Sequence, residues 1–316
     1  MIVHHRFGPE SVGVTLVRIY IMLFLVMAAW GFNVSALAVL VHHIDPITLT
    51  GVRIFTAGVV VLLIAKVMGI FRFPTKREWK TIAFIMIFNV VFHHTFLAIG
   101  LTKTSGVNTG IILGASPLVT MMLSVIFLRD HVTRLRAFGF LLGFVGIIFT
   151  SIAGGEGVSS ISVGDVYIFL SMFFQAISFI LISVLNPTFD PRLLTGYMLL
   201  IGSLFIFIFG VGMEQNVQQL TQLFSWKLGL TFLFSAVIAT AFGHMVYNFA
   251  IRNVGPTETT IFVNLNTLFA IIGAALFLGE AILFEHYIGL MLIIIGVFIG
   301  SGTLDYVIKN RRKRAH

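Results

Sequence analysis

The chain contains no cysteine. That absence excludes disulfides, zinc–thiolate centres and a thiol nucleophile. Charge is also scarce: 10% of the 316 residues are charged, whereas 58% are hydrophobic. Soluble domains carry roughly 25% charged and 45–50% apolar residues. A soluble fold of this length has too little interior to bury the excess, so a membrane protein is expected. No Gly-x4-Gly-Lys loop is present, which leaves ATP-driven work by this chain without a nucleotide site. No His-Glu-x-x-His motif is present either, and Gly114-Ala115-Ser116-Pro117 has no base partner at matching depth. An intramembrane enzyme needs a nucleophile–base pair or a metal set, so no enzyme, metal or cofactor is expected.

What is abundant points the same way. The 33 Phe and 30 Gly suit a helical bundle in lipid, where Phe faces hydrocarbon and Gly lets helices approach. A spanning helix needs about 20 mostly apolar residues. Ten such segments are read at 18–41, 47–69, 79–101, 105–128, 135–152, 164–185, 192–213, 226–251, 256–278 and 286–307. They are called helices 1 to 10 below. Residues 1–17 lack a signal-peptide apolar region, so helix 1 is expected to stay in the mature chain and 1–17 to form a cytoplasmic segment.

The basic residues sort sharply by loop. One side holds Arg6, Arg18, the group from Lys66 to Lys80, Arg129, Arg134, Arg136, Arg192, Arg252 and the tail from Lys309 to Arg314, together 17 of the 20. The other side holds Lys103 and Lys227, and Arg53 lies within helix 2. By the positive-inside rule both termini are expected in the cytoplasm, with the chain a multi-pass protein of the cell (plasma) membrane. The basic tail, 308–316, reads as a stop signal beside anionic lipid rather than as a nucleic-acid patch.

The chain repeats itself. Asp45-Pro46 with Leu49-Thr50-Gly51 recurs as Asp190-Pro191 with Leu194-Thr195-Gly196, an offset of 145. Phe127-Leu128-x-Asp130 with Gly139 and Gly146 recurs as Phe277-Leu278-x-Glu280 with Gly289 and Gly296, an offset of 150. Phe92-x-His94 recurs as Phe242-x-His244 at the same offset. Two repeats of five helices follow, 18–152 and 164–307. Because five is odd, the second enters the membrane upside down. The expected fold is an all-α membrane protein with ten transmembrane helices as two inverted-topology five-helix repeats. Such repeats are common in secondary transporters, where a site between the halves faces each side in turn.

These residues, together with Trp30-Gly31, Arg53, Ser116-Pro117 and Gly279-Glu280, resemble the drug/metabolite transporter superfamily, specifically the EamA-type exporters. The resemblance spans nearly the whole chain. It implies a central cavity lined mainly by helices 1, 3, 4, 6, 8 and 9, and export of metabolites or toxic compounds. The chain departs from the family pattern at Arg129, where Gly is frequent, and at Asp130. The resemblance also includes small relatives that exchange protons on a buried Glu in their first helix. Neither helix 1 nor helix 6 carries a carboxylate in its core here, so that mechanism does not transfer.

Polar residues in hydrocarbon face protein or water. At 1.5 Å per residue, Trp30, its repeat partner Gln175, Asn89 and Asn264 all fall near mid-membrane. They are expected to line the cavity, Trp30 as a stacking wall and the amides as hydrogen-bonding groups. The alternative is interhelical bonding by the amides and plain packing by Trp30. In helix 9, Thr257, Thr260, Asn264 and Thr267 share one helical face, which suggests a wet stripe and puts Thr260 in the candidate site; Asn266 points roughly 200° away from Asn264. Threonines bonding their own helix's carbonyls are the structural alternative.

His94 and His244 occupy matching repeat positions. Inversion of the second repeat places His94 in the outer third of the membrane and His244 in the inner third, so they are not expected to share a metal or a proton directly. Each could bind substrate, gate its side or titrate near neutral pH. His93 is expected to point about 100° away from His94. Glu258 joins the two histidines as a candidate proton- or ion-coupling group, or else serves the helix dipole. Arg53, about six residues into helix 2, is expected to snorkel or bond exposed carbonyls; attraction of anionic substrates is the less favoured alternative, because the resemblance implies that helix 2 is peripheral.

The reading is a secondary transporter, an exporter of amino-acid-like metabolites or drugs by alternating access. Its partners would be a small-molecule substrate, the lipid bilayer and protons, without nucleic acid. A passive channel or non-transporting receptor is the alternative.

Overall fold

The computed structural model describes residues 9–128, 133–151, 161–184, 189–213 and 216–300, with side chains from residue 17 onward except at 128, 136, 150, 151, 257, 258, 261 and 300. Asp130, the side chain of Glu258 and the tail 308–316 lie outside the described residues. Every regular element among the described residues is helical.

Among the described residues seven helices are long and apolar enough to cross a membrane: Val17–Val41, Pro46–Val67, Lys76–Leu101, Gly106–Phe127, Val163–Ser183, Pro191–Met213 and Trp226–Val254. Three shorter apolar helices, Ala137–Phe149, Val263–Leu278 and Phe284–Ile299, correspond to helices 5, 9 and 10. The protein is a multi-pass membrane protein. Its outward face is apolar, with Leu25, Leu63, Phe205, Ile208 and Leu276 all exposed, as lipid contact requires.

Helix 1 starts earlier than hydropathy suggested, at Pro9 rather than residue 18. Proline at the first helical position is favourable because its missing N–H would have no partner there. Other starts follow local chemistry. Pro46 opens helix 2. Thr75 and Glu78 form a reciprocal capping box on helix 3, with Arg72 Nη2 2.6 Å from Glu78 Oε1. Ser162 and Asp165 form another box on helix 6.

Helix 4 is capped from a distance. Glu280 accepts from the backbone N–H groups of Gly106 at 2.7 Å and Val107 at 2.8 Å. Its carboxylate thus meets two otherwise orphaned donors and the positive end of the helix dipole. Glu280→Ala is expected to destabilise the protein by about 2 kcal/mol, the range of a bond to a charged group. Glu280→Gln, which keeps an acceptor, should lose less. Thermal unfolding in detergent micelles checks both.

The equivalent helices of the two halves pack against each other. Helices 2 and 7 run antiparallel at very close range. A Cβ on Gly51 would lie 2.8 Å from Phe207 Cα, one on Gly58 2.5 Å from Leu200 N, one on Gly196 2.5 Å from Leu62 Cδ2, and one on Gly210 2.8 Å from Thr48 N. The contact is reciprocal: Gly51 and Gly196 are equivalent at the offset of 145, and so are Leu62 and Phe207. Helices 5 and 10 repeat the pattern. A Cβ on Gly146 would lie 2.8 Å from Gly289 O, and one on Gly296 2.7 Å from Gly139 O. Small residues at such crossings let backbones meet, which is how helices associate in lipid.

The two halves share a second feature. Helix 3 carries a π-helical segment, Ile87–Phe92, and helix 8 carries one at Phe234–Phe242. Their last residues are 150 apart, and each is followed by the histidine of the Phe-x-His repeat.

The interior is divided. One apolar cluster includes Leu23 and Met27 of helix 1, Ile85 and Val90 of helix 3, and Tyr247 and Ile251 of helix 8. The other includes Val34 and Leu37 of helix 1, Leu97 and Leu101 of helix 3, and Leu228 and Phe232 of helix 8. Between them lies a polar layer, which holds the site.

Candidate functional site

Helix 8 shows how that layer is built. Where its π segment returns to α-helix, the closing backbone N–H groups bond the carbonyls of Ile238 and Thr240 and pass over that of Ala239. The indole Nε1–H of Trp30, on helix 1, donates to that carbonyl at 2.7 Å. The Trp30 ring then lies against His244 and Tyr247, with centroids 5.1 and 4.8 Å away. Gly243 lacks the side chain that would block this approach. Segments of this type recur at functional sites, and here one supplies the acceptor that positions the aromatic wall.

Arg53 enters the same layer from helix 2. It is 1% exposed. Its Nη1 donates to Thr240 Oγ1 at 2.6 Å, and Thr240 Oγ1 donates onward to Ser235 O at 2.7 Å. Its Nη2 stands 3.4 Å from His94 Nδ1, and its Nε has no hydrogen-bond partner. Among the described residues no carboxylate pairs with it. Because a guanidinium only donates, Nδ1 of His94 must accept, which leaves the proton on Nε2. That Nε2 is buried and without a partner.

The third corner joins helices 3 and 6. His93 Nδ1 lies 2.7 Å from Ser171 Oγ, Ser171 Oγ donates to His93 O at 2.8 Å, and Gln175 Nε2 approaches His93 Nε2 at 3.0 Å. The pattern is satisfied by a neutral His93 that donates from Nδ1 and accepts at Nε2.

These groups surround a central cavity of about 60 Å³ lined by Trp30, Asn33, Arg53, His93, His94, Gln175, Thr240, His244 and Asn266, with apolar Val34, Leu37, Leu97, Leu113, Ala239 and Val263. Ligand pockets run to about 300–1,000 Å³. This volume holds a small polar group and no whole metabolite. Among the described residues no group of His, Asp and Glu is arranged to hold a metal ion.

Several expectations change. His94 and His244 do meet, with ring centroids 5.3 Å apart, and His93 and His94 are 4.5 Å apart. Inversion separates the two histidines only if the helix ends mark the membrane surfaces, but the spans Lys76–Leu101 and Trp226–Val254 have 26 and 29 residues, more than the bilayer needs. Their ends therefore do not mark its surfaces. Arg53 does not snorkel outward but points into the cavity, adding helix 2 to the lining.

In helix 9 the roles of the asparagines reverse: Asn266 is buried and lines the cavity, whereas Asn264 is half-buried and lies off it. The helix is interrupted at Phe262, between Pro256–Ile261 and Val263–Gly273, so angular phase does not carry across. Thr260 bonds Pro256 O at 2.8 Å within its own turn. Asn89 lies off the lining as well, its Nδ2 donating to Ser178 Oγ at 2.7 Å and tying helix 3 to helix 6. Trp30, His94, Gln175 and His244 are brought together.

Arg53, His93, Asn33, Thr240 and Asn266 are the polar lining residues absent from the candidates read in the sequence. For Arg53 a signal existed: it is the lone basic residue deep in an apolar run, and such residues usually face the bundle interior.

The chain is similar to proteins described as transporters. Uncharacterized transporter YyaM of Bacillus subtilis (strain 168) is 25% identical over 91% of this chain and 94% of its own. An uncharacterized transporter of Archaeoglobus fulgidus is 24% identical over 89% and 96%. A WAT1-related chloroplastic protein of Arabidopsis thaliana is 22% identical over 85% and 66%. A solved structure titled "Crystal structure of protein" aligns with a TM-score of 0.63 at 16% identity, covering 91% of this chain and 97% of that one, which shows a common fold. The model of the EamA-like transporter family matches twice in succession, over residues 17–152 and 162–301. Two matches in tandem account for nearly every described residue, and the chain belongs to the EamA-like transporter family.

Proposed function

We propose that the protein is a secondary transporter that moves a small molecule by alternating access through the central cavity, with export as its direction. The observation that carries this reading is the polar cavity that lies between two apolar clusters. Helices 1, 3 and 8 each contribute to both clusters and carry a cavity residue between them. Opening one cluster while the other stays packed would expose the site to one side at a time. A channel would need both open together.

The repeat contacts support the same reading. Antiparallel packing of helix 2 on helix 7 and of helix 5 on helix 10, with equivalent glycines exchanging partners, is what a two-fold axis in the membrane plane produces. The seven long and three shorter apolar helices then make ten spans in two inverted halves, with both termini in the cytoplasm and the chain in the cell membrane. In this scheme Trp30, Gln175, His94 and His244 contact substrate. Asn89, Thr260 and Asn264 act from the surrounding packing. His94, His244 and Glu258 are the candidates for proton coupling.

Substrate counterflow in proteoliposomes tests the proposal. Saturable exchange of at least one labelled solute from a panel of neutral amino acids and cationic drugs is expected; flux that never saturates would mean a channel. Collapsing the pH gradient is expected to slow net uptake. Uptake indifferent to the gradient would remove proton coupling and leave the carrier intact.

A further inference from the structure

Arg53 is a fully buried cation with no carboxylate partner among the described residues, placed in the wall of the cavity. Leaving a charge buried and unpaired is among the most unfavourable arrangements a protein can hold. The two bonds it makes account for part of its capacity. Nη1 is fixed on Thr240. Nε is unpartnered, and Nη2 has only the 3.4 Å contact to His94. The Nε–Nη2 edge is the one a guanidinium offers side-on to a carboxylate, through two parallel N–H···O bonds.

We infer that the molecule bound in this cavity carries a carboxylate, which pairs with Arg53. This rests on the transporter reading and names its substrate class. Among the described residues the lining has one fixed cation, and the contacts of His93 and His94 are satisfied with both rings neutral, so a singly charged anion balances it. The rest of the ligand meets a different chemistry. Asn33 Oδ1 and Asn266 Oδ1, also on the lining, are buried without partners and would accept from a hydroxyl or N–H elsewhere on the molecule. Trp30 supplies a flat apolar wall. An amino or hydroxy acid, or another small carboxylate with one donor, fits; an amine without a carboxylate would put a second cation beside Arg53. The cavity of about 60 Å³ accommodates the carboxylate, and the remainder enters as the neighbouring helices part.

The test uses matched probes on the full chain in detergent micelles, read by melting temperature. One set is phenylalanine, hydrocinnamate, phenethylamine and hydrocinnamamide. A second is leucine, isocaproate, isoamylamine and isocaproamide. Within each set the first two carry a carboxylate and the last two do not. Saturable stabilisation by at least one carboxylate-bearing probe, and by none of the amines or amides, is expected. Arg53→Gln should abolish it. Arg53→Lys, which keeps the charge but loses the fork, should weaken it about tenfold or more. The inference is overturned if an amine or amide stabilises as well as its carboxylate partner, if neither set stabilises, or if folded Arg53→Gln still responds. Should Arg53→Gln not fold, the selectivity of the wild type decides alone. Exchange in proteoliposomes separates the two readings: carboxylate binding without exchange removes the transporter, whereas saturable exchange of the amine or amide removes the carboxylate.

Discussion

Gly58→Ala is expected to destabilise the protein by about 3 kcal/mol, as overpacking of a closed interface does. The added Cβ would sit 2.5 Å from Leu200 N, 2.8 Å from Leu200 Cα and 3.1 Å from the carbonyl carbon of Leu199. All three are backbone atoms, so no side chain can rotate away and helices 2 and 7 must separate. That pair joins the two halves, so the loss should spread beyond the site of change. Gly58→Leu is expected to leave no folded protein. Gly212, on the same helix 7, is the control: nothing lies within 4 Å of a Cβ there. Gly212→Ala should be neutral or stabilising by up to about 1 kcal/mol, because alanine restricts the unfolded chain and favours helix. Melting temperatures of the three purified variants check the set. Equal behaviour of Gly58→Ala and Gly212→Ala would refute close packing between helices 2 and 7.

Trp30 carries the second large effect. Trp30→Ala removes the ring that packs on His244 and Tyr247 and strands the Ala239 carbonyl that the π segment leaves out of its ladder. A loss of about 3 kcal/mol is expected, the lower end for Trp→Ala because the side chain is only half-buried. Trp30→Phe separates the two contributions. It keeps an aromatic face and loses the N–H donor, so it should cost about 1–2 kcal/mol. Counterflow adds a readout that stability alone would not move. If the ring serves as a substrate wall, Trp30→Phe should retain exchange with a raised half-saturation concentration, while Trp30→Ala should lose exchange even under conditions where it is folded. Full activity in Trp30→Ala would reduce the residue to packing.

The two experiments address different levels of the molecule. The Gly58 series asks whether the halves are held together by backbone contact, and the Trp30 series asks whether a backbone irregularity builds the site. Both features came into view from atoms of different helices. Gly51 and Gly196 were visible as a repeated motif, but their role as reciprocal contacts needed the partner helix. The π segments left no mark in hydropathy, since a one-residue change of ladder alters neither composition nor apolar length.

The sequence by itself determined that this is a helical membrane protein, where its helices lie to within a few residues for most spans, and that its two halves repeat. These follow from composition and period, which act locally: an apolar run long enough to cross lipid must close its backbone bonds within itself. It also brought forward Trp30, His94, Gln175 and His244 as polar or aromatic groups in apolar surroundings. Tertiary structure alone decided which polar groups share one space. Arg53 turned inward, His94 met His244, and Asn266 replaced Asn264 on the lining. The physical reason is that periodicity gives angle and depth only along an unbroken ideal helix. Breaks such as that at Phe262, π segments that shift the phase, and helices longer than the bilayer each rotate or displace side chains by amounts that only packing against neighbouring helices sets.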